Sequence, residues 1–229
     1  MVYALIVAAG RGVRLNDTVR KQYLPLGPRP ILGHTLLSIK ACDRIDEIIL
    51  VIPEEDFEIC ENDILGPLAF QRGVHMVAGG PERQDSVYRG LLAVKNKDSI
   101  VLIHDGVRPF VNREQLAACI AEARQSGACL LGIPAYDTLK HIDDSGYIEH
   151  TLKREKVWLA QTPQVFRYDV IIEAHESARR EGFIGTDDAS LVERLGGSVK
   201  VIPGSKLNIK ITTREDLRLA EAIYKLQNS

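Results

Sequence analysis

Ala4-Leu5-Ile6-Val7-Ala8-Ala9-Gly10-Arg11-Gly12-Val13-Arg14-Leu15 stands near the start of the chain, and Arg20-Lys21-Gln22-Tyr23-Leu24 follows shortly after. The first four residues are apolar at successive positions. Burial on both faces of a mostly parallel sheet requires that pattern, so Tyr3–Val7 is predicted to be an interior strand. The strand empties into small residues and a glycine pair, Gly10 and Gly12, which let a backbone come close to a ligand. Four cations follow, Arg11, Arg14, Arg20 and Lys21, and guanidinium and ammonium groups match phosphate. A plain strand-to-helix turn with solvated arginines is the competing reading. The coincidence of glycines and cations favours a phosphate-rich ligand, a nucleotide. The dinucleotide fingerprint G-x-G-x-x-G fails here, because Leu15 takes the place of the third glycine, and no P-loop string occurs.

Working outward, the same apolar pattern recurs. Strands are expected at Glu47–Ile52, Val74–Val77, Ile100–Ile103, Cys129–Ile133 and Val199–Ile202. Helices are expected near His34–Ala41, Arg83–Val94, Arg113–Gln125, Tyr168–Arg180, Asp187–Leu195 and Arg214–Leu226. In the third helix, Leu116, Ile120 and Ala123 share one face. The alternation predicts an α/β fold with an open, doubly wound, mostly parallel Rossmann-like sheet, in which ligands gather at the carboxyl ends of strands. Residues 136–157 break the alternation. Asp143-Asp144-Ser145-Gly146 is a turn signal between Lys140-His141-Ile142 and Tyr147-Ile148-Glu149, so a projecting β-hairpin arm is expected. Its open edges would be covered by a second copy of the chain. The 229 residues read as a single domain, 1–229, with this arm inside it.

Composition narrows the function classes. The net charge of −2 gives no global basic field for nucleic acid. No run of about 18 apolar residues suggests a membrane span. The chain begins directly on a strand, without the pattern of a signal peptide. Cys42, Cys60, Cys119 and Cys129 are scattered and lack zinc spacing, so they are expected to be reduced and mostly buried. Histidines 34, 75, 141, 150 and 175 show no ligand spacing. A cytoplasmic location is the expectation.

Further polar clusters sit at segment ends. Gly79-Gly80-Pro81-Glu82-Arg83-Gln84-Asp85-Ser86 joins the third strand to a helix. Asp85 and Ser86 suit a helix cap, whereas the paired glycines and Arg83 are less well explained that way. His104-Asp105-Gly106-Val107-Arg108-Pro109 follows the strand at Ile100–Ile103. Its acid is placed to meet a ligand-bound cation or a polar substrate, although Asp105 and Arg108 could simply pair. Gln161–Gln164, Gly185–Asp188 and Asn208–Thr212 add hydroxyls and the cation Lys210.

Together these strings resemble the 2-C-methyl-D-erythritol 4-phosphate cytidylyltransferase family along nearly the whole chain. The family's AAGxGxRM and PKQYL correspond to Ala8–Leu15 and Lys21–Leu24. GGxxRxxSV corresponds to Gly79–Val87, HDxxRP to His104–Pro109, and DTxK to Asp137–Lys140. WxxQTPQxF corresponds to Trp158–Phe166, TDDAS to Thr186–Ser190 and NIKIT to Asn208–Thr212. Leu15 replaces the usual Met, Arg20 replaces Pro, and Pro81 has no N–H to offer a base. Ribitol 5-phosphate cytidylyltransferases share some strings, but their first loop usually reads AGG where this chain has Ala8-Ala9-Gly10.

The resemblance implies an enzyme that joins CTP to a sugar-alcohol phosphate and releases pyrophosphate. It implies that Arg14 and Lys21 stabilise the transition state. Ala8, Ala9, Gly10 and Gly12 would lie against the nucleotide, with Gly80 and Ser86 reading the cytosine edge. Asp105, Arg108, Thr138, Thr162 and Thr186 would hold the methylerythritol phosphate. Lys210 would orient that phosphate, as would Arg154 reaching across a homodimer interface. Mg²⁺, or another divalent cation, would bridge the triphosphate, with Asp105 its acidic neighbour. Arg11 and Arg20 would be peripheral. A non-catalytic nucleotide sensor is the alternative of another class, and a nicotinamide-dependent dehydrogenase is disfavoured by the missing third glycine.

Overall fold

The computed structural model describes residues 1–10, 19–69 and 73–227. Seven strands form one sheet in the order β11-β7-β10-β6-β1-β4-β5. In chain order these are β1 (Val2–Val7), β4 (Glu47–Ile52), β5 (Val74–Ala78), β6 (Ile100–Asp105), β7 (Ala128–Pro134), β10 (Trp158–Arg167) and β11 (Lys200–Pro203). The pairs β1–β4, β1–β6, β4–β5 and β7–β11 are parallel. Two short ribbons complete the β-structure: β2 (Pro25–Leu26) with β3 (Arg29–Pro30), and β8 (Lys140–Ile142) with β9 (Ile148–Thr151).

The apolar runs are buried on both faces, as their pattern demands. Val2, Ala4, Ile6 and Ala8 point into one core, against α1 (Ile31–Lys40) and α4 (Arg113–Ser126). Tyr3 and Leu5 point into the other, against α3 (Arg83–Leu92), α5 (Tyr168–Glu181) and α6 (Asp188–Arg194). β4, β6 and β7 divide their residues between the same two cores. A third cluster, Leu26, Ile31, Val107, Ile211 and Ala220, seats α7 (Arg214–Gln227) over the β2–β3 ribbon. Between α1 and β5 lie a short helix α2 (Phe57–Cys60) and a π-helical turn, Glu61–Leu65. α1 begins at Ile31, ahead of the expected His34, because Pro30 fixes an extended N-cap and needs no N–H there. Among the described residues no helix is long and apolar enough to cross a membrane.

The expected open, mostly parallel sheet is present, with one addition. β10 runs antiparallel between β6 and β7, near the middle of the sheet. Its sequence, Trp158-Leu-Ala-Gln-Thr-Pro-Gln-Val-Phe-Arg167, carries a proline and two glutamines, which argue against a central strand. The strand tolerates Pro163 because its register against β7 shifts between Ala160 and Gln164, so no ladder bond is demanded at the proline. The chain lays β4 and β5 on one side of β1 and then returns to β6 on the other. This reversal makes the carboxyl ends of β1 and β6 a topological switch point, where α/β folds bind ligands.

The expected hairpin exists as β8–β9, and all its strand residues are exposed. Asp143 closes the turn by accepting from the N–H groups of Ser145 and Tyr147, both at 2.9 Å. Gly146 sits at φ 85°, a conformation that favours glycine.

Candidate active site

A cavity of about 470 Å³ opens at the switch point. Its walls come from four strand ends: Val7–Gly10 after β1, Pro53–Glu55 after β4, Ala78–Glu82 after β5, and Asp105 with Val107 after β6. Arg20, Lys21, Gln22, Arg83, Ser86, Arg89 and Lys210 complete the lining. Ala8, Ala9, Gly10, Gly80, Ser86, Lys21, Asp105 and Lys210 are therefore brought together, although Ala8 and Lys210 lie 202 residues apart in the chain. Gly12 and Arg14 lie outside the described residues.

The first wall is pinned by Gln22, which is fully buried and donates from Nε2 to the Ala8 carbonyl at 2.7 Å. That bond holds the turn Lys21–Tyr23 against the end of β1 and sets Lys21 at the cavity. Arg20 is tied to Glu55 at 2.6 Å and also to Asp56, which links the same turn to the loop after β4. The second wall depends on glycine. A Cβ on Gly79 would stand 2.2 Å from Ala9 Cβ, and one on Gly80 would stand 2.3 Å from Asp85 Cβ. Gly79 thus brings two loops into contact, and Gly80 lets its own loop fold onto the first turn of α3. The Gly80 N–H donates to Ser86 Oγ at 3.0 Å, and Ser86 donates on to the Glu82 carbonyl at 3.1 Å. Ser86 therefore fixes the Gly80 peptide. Gly79→Ala is expected to force the Ala9 and Gly79 loops apart and to lower kcat/KM by about 10²-fold, the usual scale for an ångström of misplacement. Steady-state kinetics beside an unchanged far-UV spectrum would check this.

The floor is an ionic network. Asp105 Oδ1 accepts from Arg83 Nε at 3.2 Å, and its Oδ2 lies 2.9 Å from Lys210 Nζ and 3.4 Å from Arg108 Nε. Burial alone would raise the Asp105 pKa. Arg83, Lys210 and Arg108 outweigh it and hold the carboxyl well below the usual range. Arg83 reaches a second buried acid, Asp188, at 2.9 Å. Burial opposes the charge of Arg83, but Asp188 and then Asp105 override it and raise its pKa. Asp188 in turn meets the fully buried His175 at 3.3 Å. Lys210 is placed by its neighbour: the Ile211 N–H donates to the Val107 carbonyl at 3.0 Å, with Ile211 fully buried. Gln22 and Asp188 were not marked by the sequence reading, and Arg83 stood out there only as poorly explained by a helix cap, with no role assigned. The available signals were their places inside the strings Lys21–Leu24, Gly79–Val87 and Thr186–Ser190.

The remaining sequence-predicted residues are dispersed. Arg108 does pair with Asp105, and its Nη1 donates to the Asn208 carbonyl at 2.8 Å, beneath the cavity lining. Thr162 is buried below the floor, where its hydroxyl accepts from the Asp105 N–H at 3.1 Å and meets His104 Nδ1 at 3.0 Å. Thr186 lines a smaller neighbouring cavity of about 90 Å³, which shares Glu82 and Arg83 with the first. Thr138 is exposed at the root of the arm, and exposed Arg154 lies in the turn Arg154–Lys156, bonded to the Tyr136 carbonyl.

Comparison with known proteins agrees with this architecture. The sequence model of the 2-C-methyl-D-erythritol 4-phosphate cytidylyltransferase family matches residues 2–226. The protein of that name from Syntrophus aciditrophicus is 49% identical over 224 residues, covering 98% of this chain and 96% of its own. A crystal structure of 4-diphosphocytidyl-2C-methyl-D-erythritol synthase from Anaerococcus prevotii superposes with a TM-score of 0.87 at 37% identity, over 98% of this chain and 96% of that one. The 2-C-methyl-D-erythritol 4-phosphate cytidylyltransferase of Thermus thermophilus gives a TM-score of 0.77 at 32% identity, over 96% and 98%.

Proposed function

This chain belongs to the 2-C-methyl-D-erythritol 4-phosphate cytidylyltransferase family, and from that premise we propose how its cavity performs the family's reaction. The enzyme transfers CMP from CTP to 2-C-methyl-D-erythritol 4-phosphate, giving 4-diphosphocytidyl-2-C-methyl-D-erythritol and pyrophosphate, a step of isoprenoid precursor biosynthesis. A phosphate oxygen of the acceptor attacks the α-phosphorus of CTP, and the bond to the β-phosphate oxygen breaks as pyrophosphate leaves. Two anions must approach, so the protein's task is positioning and charge neutralisation.

The observation that carries the reading is a wall of small residues facing Lys21 and Lys210 over an ionised Asp105 in one cavity. The backbone of Ala8, Ala9, Gly10 and Gly12 lies against the nucleotide. The Gly80 peptide, fixed by Ser86, offers its carbonyl to the amino group of cytosine. Lys21 and Arg14 neutralise the α-phosphate and the leaving pyrophosphate. Lys210 leaves Asp105 for a phosphate when substrate enters, a short transfer for a flexible ammonium. Asp105, Arg108, Thr162 and Thr186 shape the acceptor side, with Thr162 and Arg108 acting from below by fixing the Asp105 segment. A divalent ion fits this donor set: one ionised carboxylate beside triphosphate oxygens is how Mg²⁺ is usually held. Asp105 would hold it, and the ion would supply neutralising charge on the triphosphate.

Thr138 and Arg154 lie on an exposed arm outside the cavity of their own chain. We infer a homodimer in which the arm serves the partner's acceptor site. The apolar side chains Tyr136, Ile142, Tyr147 and Ile148 are 55%, 56%, 74% and 61% exposed, which is more than a solvated ribbon would carry. Assaying pyrophosphate release from CTP with methylerythritol 4-phosphate beside ribitol 5-phosphate tests the substrate. Strong preference for the first is expected, no turnover with either would leave the sensor reading, and preference for ribitol would reassign the acceptor. Mixing Lys21→Ala and Arg154→Ala chains tests the dimer. Partial recovery of activity is expected, and no recovery despite proven subunit exchange would refute the crossed arm.

A further inference from the structure

The arm carries a group of side chains that cytidylyl transfer does not use. His141 on β8 and His150 on β9 are cross-strand partners, and their rings stack with centroids 4.8 Å apart and 18° between planes. Glu149 joins them, with its Oε2 2.8 Å from His141 Nδ1. One donor atom from each residue lies within 4.8 Å of the others. Successive residues of a strand point to opposite faces, so Glu149 and His150 would ordinarily diverge. The register explains why they converge. His141 faces His150 but Ile142 faces Ile148, which leaves Glu149 as the extra residue of a β-bulge. A bulge interrupts the alternation and re-aims a side chain.

We propose that His141, Glu149 and His150 form a site for a divalent transition-metal ion, with Zn²⁺ the best match. Two imidazole nitrogens and one carboxylate oxygen, with a further position open to water, make a donor set that zinc accepts. Mg²⁺ and Ca²⁺ call for mostly oxygen ligands and are poorly served here. All three residues are exposed in the single chain, which leaves the ion an entry path there. Metal–donor distances near ~2.0–2.2 Å require these atoms to settle roughly 3.3 Å apart, against separations of up to 4.8 Å without the ion. The ion would take the place of the 2.8 Å hydrogen bond between His141 Nδ1 and Glu149 Oε2. An isolated two-stranded ribbon is marginally stable, and an ion joining β8 to β9 would clip it in register.

Calorimetric titration of the full chain with Zn²⁺, without nucleotide, tests the site, alongside amide hydrogen exchange. One equivalent of Zn²⁺ is expected to bind and to slow exchange across residues 139–152, whereas Mg²⁺ does not. The double variant H141A/H150A is expected to lose about 10–100-fold or more in affinity, and Glu149→Gln about tenfold. Equal zinc binding by wild type and H141A/H150A would overturn the proposal. So would zinc that leaves arm exchange in the wild type unchanged, a measurement that does not depend on the variants folding.

Discussion

Lys21→Ala is expected to lower kcat by about 10²–10³-fold, the effect of removing one preorganised charge worth roughly 3–4 kcal/mol at a developing anion. The reasoning starts from the turn Lys21–Tyr23. Gln22 is locked by its 2.7 Å bond to the Ala8 carbonyl, so the backbone that carries the neighbouring Lys21 is held at the cavity. Negative charge shifts toward the bridging oxygen as pyrophosphate leaves. A fixed cation there favours the transition state over the bound substrate, so kcat should fall more than KM for CTP rises. Lys21→Arg keeps the charge but replaces a compact ammonium with a planar fork, and should recover only part of the loss. Single-turnover pyrophosphate release separates the chemical step from product dissociation. Near-normal turnover in Lys21→Ala would remove Lys21 from the mechanism. A large fall in thermal midpoint would instead assign it a structural task.

The interior strands were legible because burial on two faces leaves an unmistakable run of apolar residues. Val2, Ala4 and Ile6 feed one core while Tyr3 and Leu5 feed the other, so no polar position interrupts the pattern. β10 escaped because its centre is polar for a local reason. Gln164 bridges to α6, donating to Asp187 at 2.7 Å and accepting from the Ala189 N–H at 2.9 Å. Thr162 bonds the Asp105 segment. Residues at such a junction satisfy buried backbone groups, and spacing alone cannot announce that. The lining residues Lys21, Asp105 and Lys210 were found because their charges stand at strand or segment ends, where a phosphate ligand would meet them, inside strings that resemble the family's. Arg83, although a helix cap explains it poorly, and Asp188 carried no assigned role, because only the fold lets Arg83 bridge Asp188 to Asp105. The arm's register was equally hidden: one extra residue at Glu149 changes which side chains share a face, and its turn signal does not encode that.

Folding stability is expected to fall by about 3 kcal/mol as the pH drops from 7 to 4, through His104. This imidazole is fully buried beside the floor of the active site. Its Nε2 lies 3.0 Å from the Arg108 carbonyl, which can only accept, so that nitrogen carries the proton. Nδ1 must then accept from the Thr162 hydroxyl at 3.0 Å, and Thr162 in turn accepts from the Asp105 N–H at 3.1 Å. Protonating Nδ1 would deprive the hydroxyl proton of its acceptor and place a charge in a dry site. Burial is the main cause and pushes the pKa down to about 4, against the opposing pull of the Arg108 carbonyl and Asp105. Between about pH 4 and the ordinary imidazole value near 6.5, the unfolded chain therefore binds the extra proton. Stability is complete above that window and is lost progressively on acidification through it. His34, half buried and also lowered, adds in the same direction. Asp105 and Asp188 act elsewhere: with their folded values depressed, the stability they contribute is present above about pH 4 and is lost only below it. Urea unfolding at stepped pH measures the loss. In His104→Gln, whose amide can donate and accept but does not titrate, the pH dependence across this window should flatten, whatever its starting stability. An unchanged dependence in that variant, or a His104 ring resonance in the wild type that titrates near 6.5, would place the acid lability in other groups.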